Sequence, residues 1–500
     1  MKNIVFWDIA TYNWLWLPLA KRFKDMNRRC KIYFICSTKQ RVNFRQAEDE
    51  DGIINRFLTT NHFFREYDNA HGSCEEIISK ARAYEKKYNM LISDALQADR
   101  HLGVGFFPGG IKHPKSQLSE KADYIKSVVI FNKIVEFWEK YLDETRPDLI
   151  IGATAGIIGK ICSVVAKKRN IPIRALVSAR YQSYFYWATN EFYSVPDIQR
   201  RFETMTSYEN IISPDELSGL KRLPWSDKNY KKYIKYKSGF FLVSQIFKHV
   251  KRHISKRMKR VITMGNYIFS EDIKYSWRIH TAMKTVDSLK TVNSEDLTGL
   301  SFVVYPLHTE PEAAMGMLSP EFNEQLAIIE LLAKNLPAGT FLAVKEHLGA
   351  LGRRPSDFYF TLKKIPNVVL LHPCDYLLEF AKKSRAVAVI TSTIGTEAAI
   401  LGIPVISFGL HNNFNFLPHV HYVKSWIELR PLLHKLCVSE DSNEEKKIRC
   451  ENGKRYLAAL KSVSVDLSWS NYSACKRMPA TQKEVDVLYS SLVKSLGFDE

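Results

Sequence analysis

Between Ala386 and Gly409 the chain reads AVAVITSTIGTEAAILGIPVISFG, and this stretch limits the fold more than any other. Ala386–Ile390 is too short and too apolar for anything but a buried strand. The run breaks at Thr391-Ser392-Thr393, an alanine-rich segment follows, and Gly402-Ile403-Pro404 leads into a second apolar run. The pattern is a strand–helix–strand unit. Thr393 or Thr396 caps a helix beginning near Gly395, and Gly402 with Pro404 ends it. Hydroxyls thus gather where a strand's carboxyl end meets a helix amino end. Unpaired N–H groups and the helix dipole favour an anion such as phosphate there. An ordinary α/β unit also needs caps, so the stretch alone leaves capping and phosphate binding both open.

The same alternation recurs along the chain. NIVFW, KIYFIC, DLIIG (Asp148–Gly152) and IPIRALV read as strands in the first part, with helices around Tyr12–Phe23, near Ala122–Tyr141 and after Gly152. SFVVYPL, TFLAVKEH and NVVLLHP read as strands in the second, separated by helices at Pro320–Asn335, near Ser356–Lys363 and at Asp375–Lys383. Such alternation implies parallel sheets covered on both faces, hence two doubly wound α/β halves. The expected division is 1–193 as an acceptor-side α/β domain and 194–297 as a basic, aromatic helical insertion. A nucleotide-sugar-binding α/β domain at 298–440 and a helical tail at 441–500 complete it.

Composition narrows the setting. No window approaches the roughly 18–20 uninterrupted apolar residues of a membrane-spanning helix. The apolar start is interrupted by Asp8 and lacks a small-residue cleavage site, so it reads as strand and helix rather than signal peptide. Eight scattered cysteines without a C-x-x-C pair point to a reducing, cytoplasmic compartment and away from structural zinc. A net charge of +19 predicts anionic partners. The charge concentrates between Lys228 and Arg260, with twelve Lys/Arg and no Asp or Glu. There Val243, Ile246, Phe247, Val250, Ile254 and Met258 recur at helical spacing. Lys248, Lys251, Arg252, Lys256, Arg257 and Lys259 fill most of the rest. This basic amphipathic helix either lies on an anionic membrane surface or packs on the protein with a solvated basic face. No nucleic-acid-binding module accompanies it.

Ligands of such sheets bind outside the strands' carboxyl ends. In the second half that rule gathers His308, Glu310 and Glu312 with Lys345, Glu346 and His347, and with Ser392, Thr393 and Glu397. Lysine and histidine can stabilise a phosphate leaving group, and glutamate can bond ribose hydroxyls. In the first half SDALQADRHLGVGFFPGG places Asp94, Asp99 and His101 before a glycine-rich loop. Asp94 or Asp99 is the candidate general base on an acceptor hydroxyl. The same stretch also reads as a helix end and loop. GATAGIIGKI lacks the first glycine and the Ser/Thr of a P-loop, and EDED at Glu48–Asp51 reads as a turn rather than a metal site.

The segments FVVYPLHTEPEAAM, SPEFNEQLAIIELLAKNLPAGTFLAVKEH, RRPSDFYFTLKKIPNVVLLHP and VITSTIGTEAAILGIPVISFG together resemble the capsule and surface-polysaccharide biosynthesis protein family. That family includes transferases for 3-deoxy-manno-octulosonic acid (Kdo). The resemblance covers about Phe302 to Gly409 and, loosely, DRHLGVGF. It implies a glycosyltransferase of the GT-B type, two Rossmann-like domains facing a cleft, with the donor nucleotide in the second half. By position His347 contacts the donor phosphate, with His308 and Lys345 on the same rim. Ser392, Thr393, Gly395 and Thr396 form the phosphate-binding helix start, while Glu346 and Glu397 support the nucleotide. Where the family has proline after the KEH histidine, this chain has Leu348.

The expected activity is therefore transfer of a sugar, Kdo or a related acidic one, from a nucleotide donor to a glycan or lipid-linked acceptor. A CMP-linked donor is favoured over UDP or GDP, and with its monophosphate leaving group no metal is obligatory. Two alternatives stand beside it: a nucleotide-sugar 2-epimerase, and a non-catalytic polysaccharide assembly or binding protein on the same fold.

Overall fold

The computed structural model describes residues 1–7, 13–36, 52–59, 72–99, 124–152, 154–208, 211–212, 216, 220, 230–231, 233–258, 269–310, 313–322, 324–467 and 480–497. In chain order the elements begin with β1 (Asn3–Trp7), α1 (Asn13–Met26), β2 (Lys31–Cys36), β3 (Arg56–Thr59), α2 (Cys74–Tyr88) and α3 (Ile92–Gln97). Then come α4 (Tyr124–Thr145), β4 (Leu149–Gly152), α5 (Gly156–Lys168), β5 (Ile173–Ser178), β6 (Tyr184–Ala188), α6 (Pro196–Thr204), α7 (Gly239–Met258) and α8 (Phe269–Ser288). The second series runs β7 (Ser301–Pro306), α9 (Ala313–Leu318), α10 (Gln325–Asn335), β8 (Thr340–Lys345), α11 (Phe358–Lys363), β9 (Val368–Leu371) and α12 (Leu377–Lys383). It continues with β10 (Ala386–Val389), α13 (Thr393–Ile400), β11 (Val405–Ser407), β12 (Val420–Tyr422), α14 (Trp426–Val438) and α15 (Asn443–Ser462). The last elements are β13 (Val465–Asp466) and α16 (Gln482–Ser495).

The chain divides into two units: 1–99 with 122–195 and 463–500, and 100–121 with 196–462. The stretch 194–297 therefore falls almost wholly in the second unit. The stretch 441–500 is shared, α15 going with the second unit and everything after Ser462 with the first.

The first unit is built on a seven-stranded sheet in the order β13-β6-β5-β4-β1-β2-β3. Its strands β1 to β5 are parallel, while β6 and β13 are antiparallel additions at one edge. Sequence alternation does not anticipate those two, because β6 follows β5 through a short hairpin with no helix between them, and β13 is only two residues long. The return of the C-terminal segment is sealed by apolar packing: Leu488 and Leu492 of α16 are buried with Phe6, Trp16, Phe34 and Phe185. On the other face Trp138 of α4 stacks on Trp7 with ring centroids 5.0 Å apart. A side chain at Gly152 would meet the Trp7 carbonyl at 2.1 Å, so the end of β4 requires glycine.

The second unit holds a six-stranded, wholly parallel sheet in the order β12-β11-β10-β7-β8-β9. From β7 the chain winds outward through β8 and β9, then crosses back to β10 and winds the other way. Adjacent β7 and β10 therefore form the topological switch point. Both sheets are the doubly wound, Rossmann-like type expected. Ile328, Ile329 and Leu332 of α10, with Leu429 and Leu433 of α14, join Val303, Leu342, Val344 and Ile406 in one buried core. The helix from Pro320 expected as continuous is broken into a 3-10 turn, Pro320–Phe322, and α10.

Candidate functional site

Three loops meet at the carboxyl ends of β7, β8 and β10, and side chains tie each to the next. His308, after β7, is buried. Its Nε2 accepts the Thr391 N–H at 3.1 Å, which leaves the ring proton on Nδ1, 3.3 Å from Gln325 Oε1. Gln325 completes the clamp by accepting the His308 N–H at 2.7 Å and donating to its carbonyl at 3.1 Å. His308 is thus a neutral brace across the switch point.

Beside it lies a buried ionic cluster that strand-end reasoning does not reveal. The Arg354 guanidinium, 1% exposed, donates through Nε to Glu346 Oε2 at 2.9 Å. It also bonds Glu310 and the His308 carbonyl. Tyr359 donates to Glu346 Oε2 at 2.9 Å, and Glu346 Oε1 accepts the His347 N–H at 2.7 Å. Burial pushes the Glu310 carboxyl above the usual range and Arg354 opposes it. Glu310 and Glu346 are therefore engaged with protein rather than presented outward. Lys345 is likewise engaged, its Nζ donating to the Pro373 carbonyl at 2.8 Å. Glu312 and His101 lie outside the described residues.

His347 differs from these. Its Nδ1 accepts the Gly349 N–H at 3.0 Å and stands 3.1 Å from Thr309 Oγ1. The proton therefore sits on Nε2, on a side chain that remains exposed at the surface. Desolvation by the surrounding protein lowers its pKa to about 4; Glu346 opposes this, and Lys345, Arg353 and Arg354 assist it. At neutral pH the ring is an uncharged donor held in one tautomer by its neighbours. The Leu348 position is no obstacle: His347 caps a 3-10 turn, Leu348–Ala350, with its own ring.

The helix start after β10 lies two residues earlier than expected. α13 begins at Thr393 with Ser392 at its N-cap, and Ser392 makes no side-chain capping bond. The capping role given to Thr393 or Thr396 is thereby corrected: both lie inside the helix. Thr393 is exposed and Thr396 buried. Gly395 serves packing, since a Cβ there would stand 2.9 Å from Phe414 and Val389 side chains. Glu397 is half-buried, and burial pushes its carboxyl up to about 7.

In the first unit Asp94 is committed to structure: Oδ2 accepts the Leu91 N–H at 3.2 Å at the start of α3, and its carbonyl accepts from the buried Lys160 at 2.9 Å. Asp99 reaches the β4–α5 turn, where its Oδ2 lies 3.7 Å from the Cβ position of Gly156. Of the basic helix residues, Lys248, Lys251 and Arg252 are exposed on α7, while the side chains of Lys256 and Arg257 lie outside the described residues. Among the described residues no group of three His, Cys, Asp or Glu is placed to hold a metal ion. Among them, too, no helix is long and apolar enough to cross a membrane.

No curated protein matches the sequence. Among solved structures, MnaA of S. aureus with UDP aligns at 12% identity over 94% of this chain and 97% of its own, with a TM-score of 0.28. UDP-GlcNAc 2-epimerase from Neisseria meningitidis bound to UDP-GlcNAc aligns at 14% over 93% and 98%, TM-score 0.29. MurG of Acinetobacter baumannii aligns at 10% over 92% and 99%, TM-score 0.26. The fold assignment accordingly rests on the strand orders above. Residues 232–415, a span that takes in the basic helix and the whole rim from His308 to Glu397, match the family model described as capsule polysaccharide biosynthesis protein.

Proposed function

We propose that the protein is a GT-B-type glycosyltransferase of surface or capsular polysaccharide synthesis that uses a nucleotide-activated sugar. The observation that carries this reading is the pairing of the His347 Nε2–H donor with an α13 start whose Ser392 hydroxyl is not spent on capping. Both stand at strand ends flanking the switch point, in a segment within the family match. A donor phosphate at this rim would accept from His347, from the hydroxyls of Ser392 and Thr393 and from the first-turn N–H groups of α13. These donors favour the negative charge that grows on the leaving phosphate as the glycosidic bond breaks. Glu397 would accept from ribose hydroxyls in its ionised form. Lys345, Glu346, Glu310 and His308 act indirectly, by holding the loops.

A CMP-linked acidic sugar such as Kdo suits the reading, with UDP and GDP donors next in order. In the first unit Asp99, which reaches the β4–α5 turn, is the proposed base on the acceptor hydroxyl. The acceptor is a glycan or lipid-linked glycan, at the cytoplasmic face of the membrane.

The test is a melting-temperature screen against CMP, UDP, GDP and their sugars. Binding to the folded state alone raises stability with the logarithm of ligand concentration. One nucleotide should do so for wild type and fail for His347→Ala. No shift with any nucleotide would overturn the assignment, and turnover of the donor sugar without any acceptor would redirect it to an epimerase.

A further inference from the structure

The apolar residues of α7 form one broad face, of which only one edge is packed. Leu242 is buried, and Ile246, His249 and Val250 are half-buried on the same side. His249 Nε2 lies 3.2 Å from Ser276 Oγ, so this side faces α8. Along the adjoining edge, turned away from α8, Phe240, Phe247 and Met258 are 86%, 70% and 79% exposed, and Val243 and Ile254 are exposed with them. At 100° per residue these five share an arc of about 60°, close to one line along the helix. Lys251 falls about 20° beyond that arc, and Lys248 and Arg252 follow further round on the same side, away from the packed edge. An apolar ridge of this kind on a soluble surface needs an occupant.

Charge selects the occupant. The stretch from Lys228 to Arg260 has twelve basic and no acidic residues, so a second copy would bring like charge against like. A phospholipid surface bearing anionic headgroups complements both parts at once: apolar side chains enter the acyl boundary while lysine and arginine stay at the headgroups. α8, against which α7 packs, leads on to the candidate site. Ile279 and Met283 of α8 are buried with Leu351, and Leu348 packs on the same cluster. A Cβ at Gly352 would meet the Ile279 nitrogen at 2.8 Å, so the backbone of the His347 loop lies directly against α8.

We propose that the outward face of α7 docks on an anionic phospholipid surface, and that α8 thereby holds the His347 loop of the second unit beside that surface. The role for the loop rests on the transferase reading above; the docking does not. Sedimentation of the full chain with vesicles tests it, using phosphatidylcholine alone and phosphatidylcholine with phosphatidylglycerol. Wild type should pellet with the second and not the first, and added salt should weaken the binding. Lys248→Glu with Lys251→Glu and Arg252→Glu should lower affinity on the order of a hundredfold. Phe247→Ser with Ile254→Ser should lower it further at high salt, where insertion dominates, with the melting temperature unchanged. Leu242→Ser, on the inner side, should instead lower the melting temperature.

Wild type left in the supernatant at low salt would overturn the proposal. So would self-association without lipid that the Phe247→Ser, Ile254→Ser variant abolishes, since that would make the ridge an interface between copies. The nucleotide screen on the same variants keeps the two readings apart. Vesicle binding without any nucleotide response defeats the transferase alone; the converse defeats the docking alone.

Discussion

The ring of His308 and the backbone of Thr391, 83 residues apart, meet where the second sheet reverses its winding: Nε2 accepts the Thr391 N–H at 3.1 Å. A crevice opens at such switch points because the flanking loops leave in opposite directions. Here a buried neutral imidazole bridges its floor. The polar groups presented outward are then those on either side, His347 after β8 and the α13 start after β10.

Arg354 is expected to be the most sensitive residue of this floor. Arg354→Met would leave Glu310 and Glu346 buried without their cation, and breaking a buried pair costs about 3–5 kcal/mol. Arg354→Lys should recover only part of that, because an ammonium cannot reach both carboxylates and the His308 carbonyl in one plane. Chemical denaturation of the two variants checks the order. Wild-type stability in Arg354→Met would show that the cluster is dispensable.

The protonation state of His347 predicts a pH dependence. Its folded pKa, about 4, lies below the ordinary 6.5, chiefly through desolvation. Below pH 6.5 the unfolded chain binds a proton that the folded ring refuses. The stability tied to this residue is therefore full above pH 6.5 and lost as pH falls toward 4. His347→Gln should flatten that part of the profile, while His419 and His421, also lowered by burial, keep the remainder. Identical melting-temperature profiles for wild type and variant between pH 7 and 4 would contradict the neutral-donor assignment.

Replacing both Ser392 and Thr393 by alanine separates binding from capping. An N-cap serine that bonds its helix contributes about 1 kcal/mol, but Ser392 makes no such bond. Stability should therefore hold. Each charge-assisted hydrogen bond to phosphate that the substitutions remove should weaken nucleotide affinity roughly ten- to a hundredfold, at about 1.5–3 kcal/mol apiece. Calorimetric titration with the nucleotide that raises the melting temperature gives the answer.

The two aspartates of the first unit should also part company. Asp94→Asn weakens the start of α3 and shows mainly as lower stability. Asp99→Asn should cut turnover about a hundredfold with donor affinity nearly constant, as loss of a general base does. Full turnover in Asp99→Asn would remove it from the mechanism.

Local pattern determined a good deal. Short β-branched runs alternating with helix-length segments specify parallel, doubly wound sheets, because only a covered parallel strand tolerates apolar residues on both faces. The same periodicity places polar residues at strand ends, and His308, Glu310, Lys345, Glu346, His347, Ser392 and Thr393 all lie there. Periodicity also marks α7 as amphipathic, and its charge marks it as basic. What pattern does not carry is which strands become neighbours. The proton of His347 is fixed by Thr309, 38 residues away on another strand end, and by a turn in its own loop. Glu346 has the position of a ligand, yet Arg354 and Tyr359, eight and thirteen residues on, close over it. β13 joins β6 across nearly three hundred residues of chain, and the split of α7 into a packed and a bare side depends on α8. Hydrophobic periodicity is a property of neighbours in the chain, whereas hydrogen-bond partners and burial are set by sheet order. The tertiary structure alone decides which of the strand-end groups are spent on the protein and which face outward.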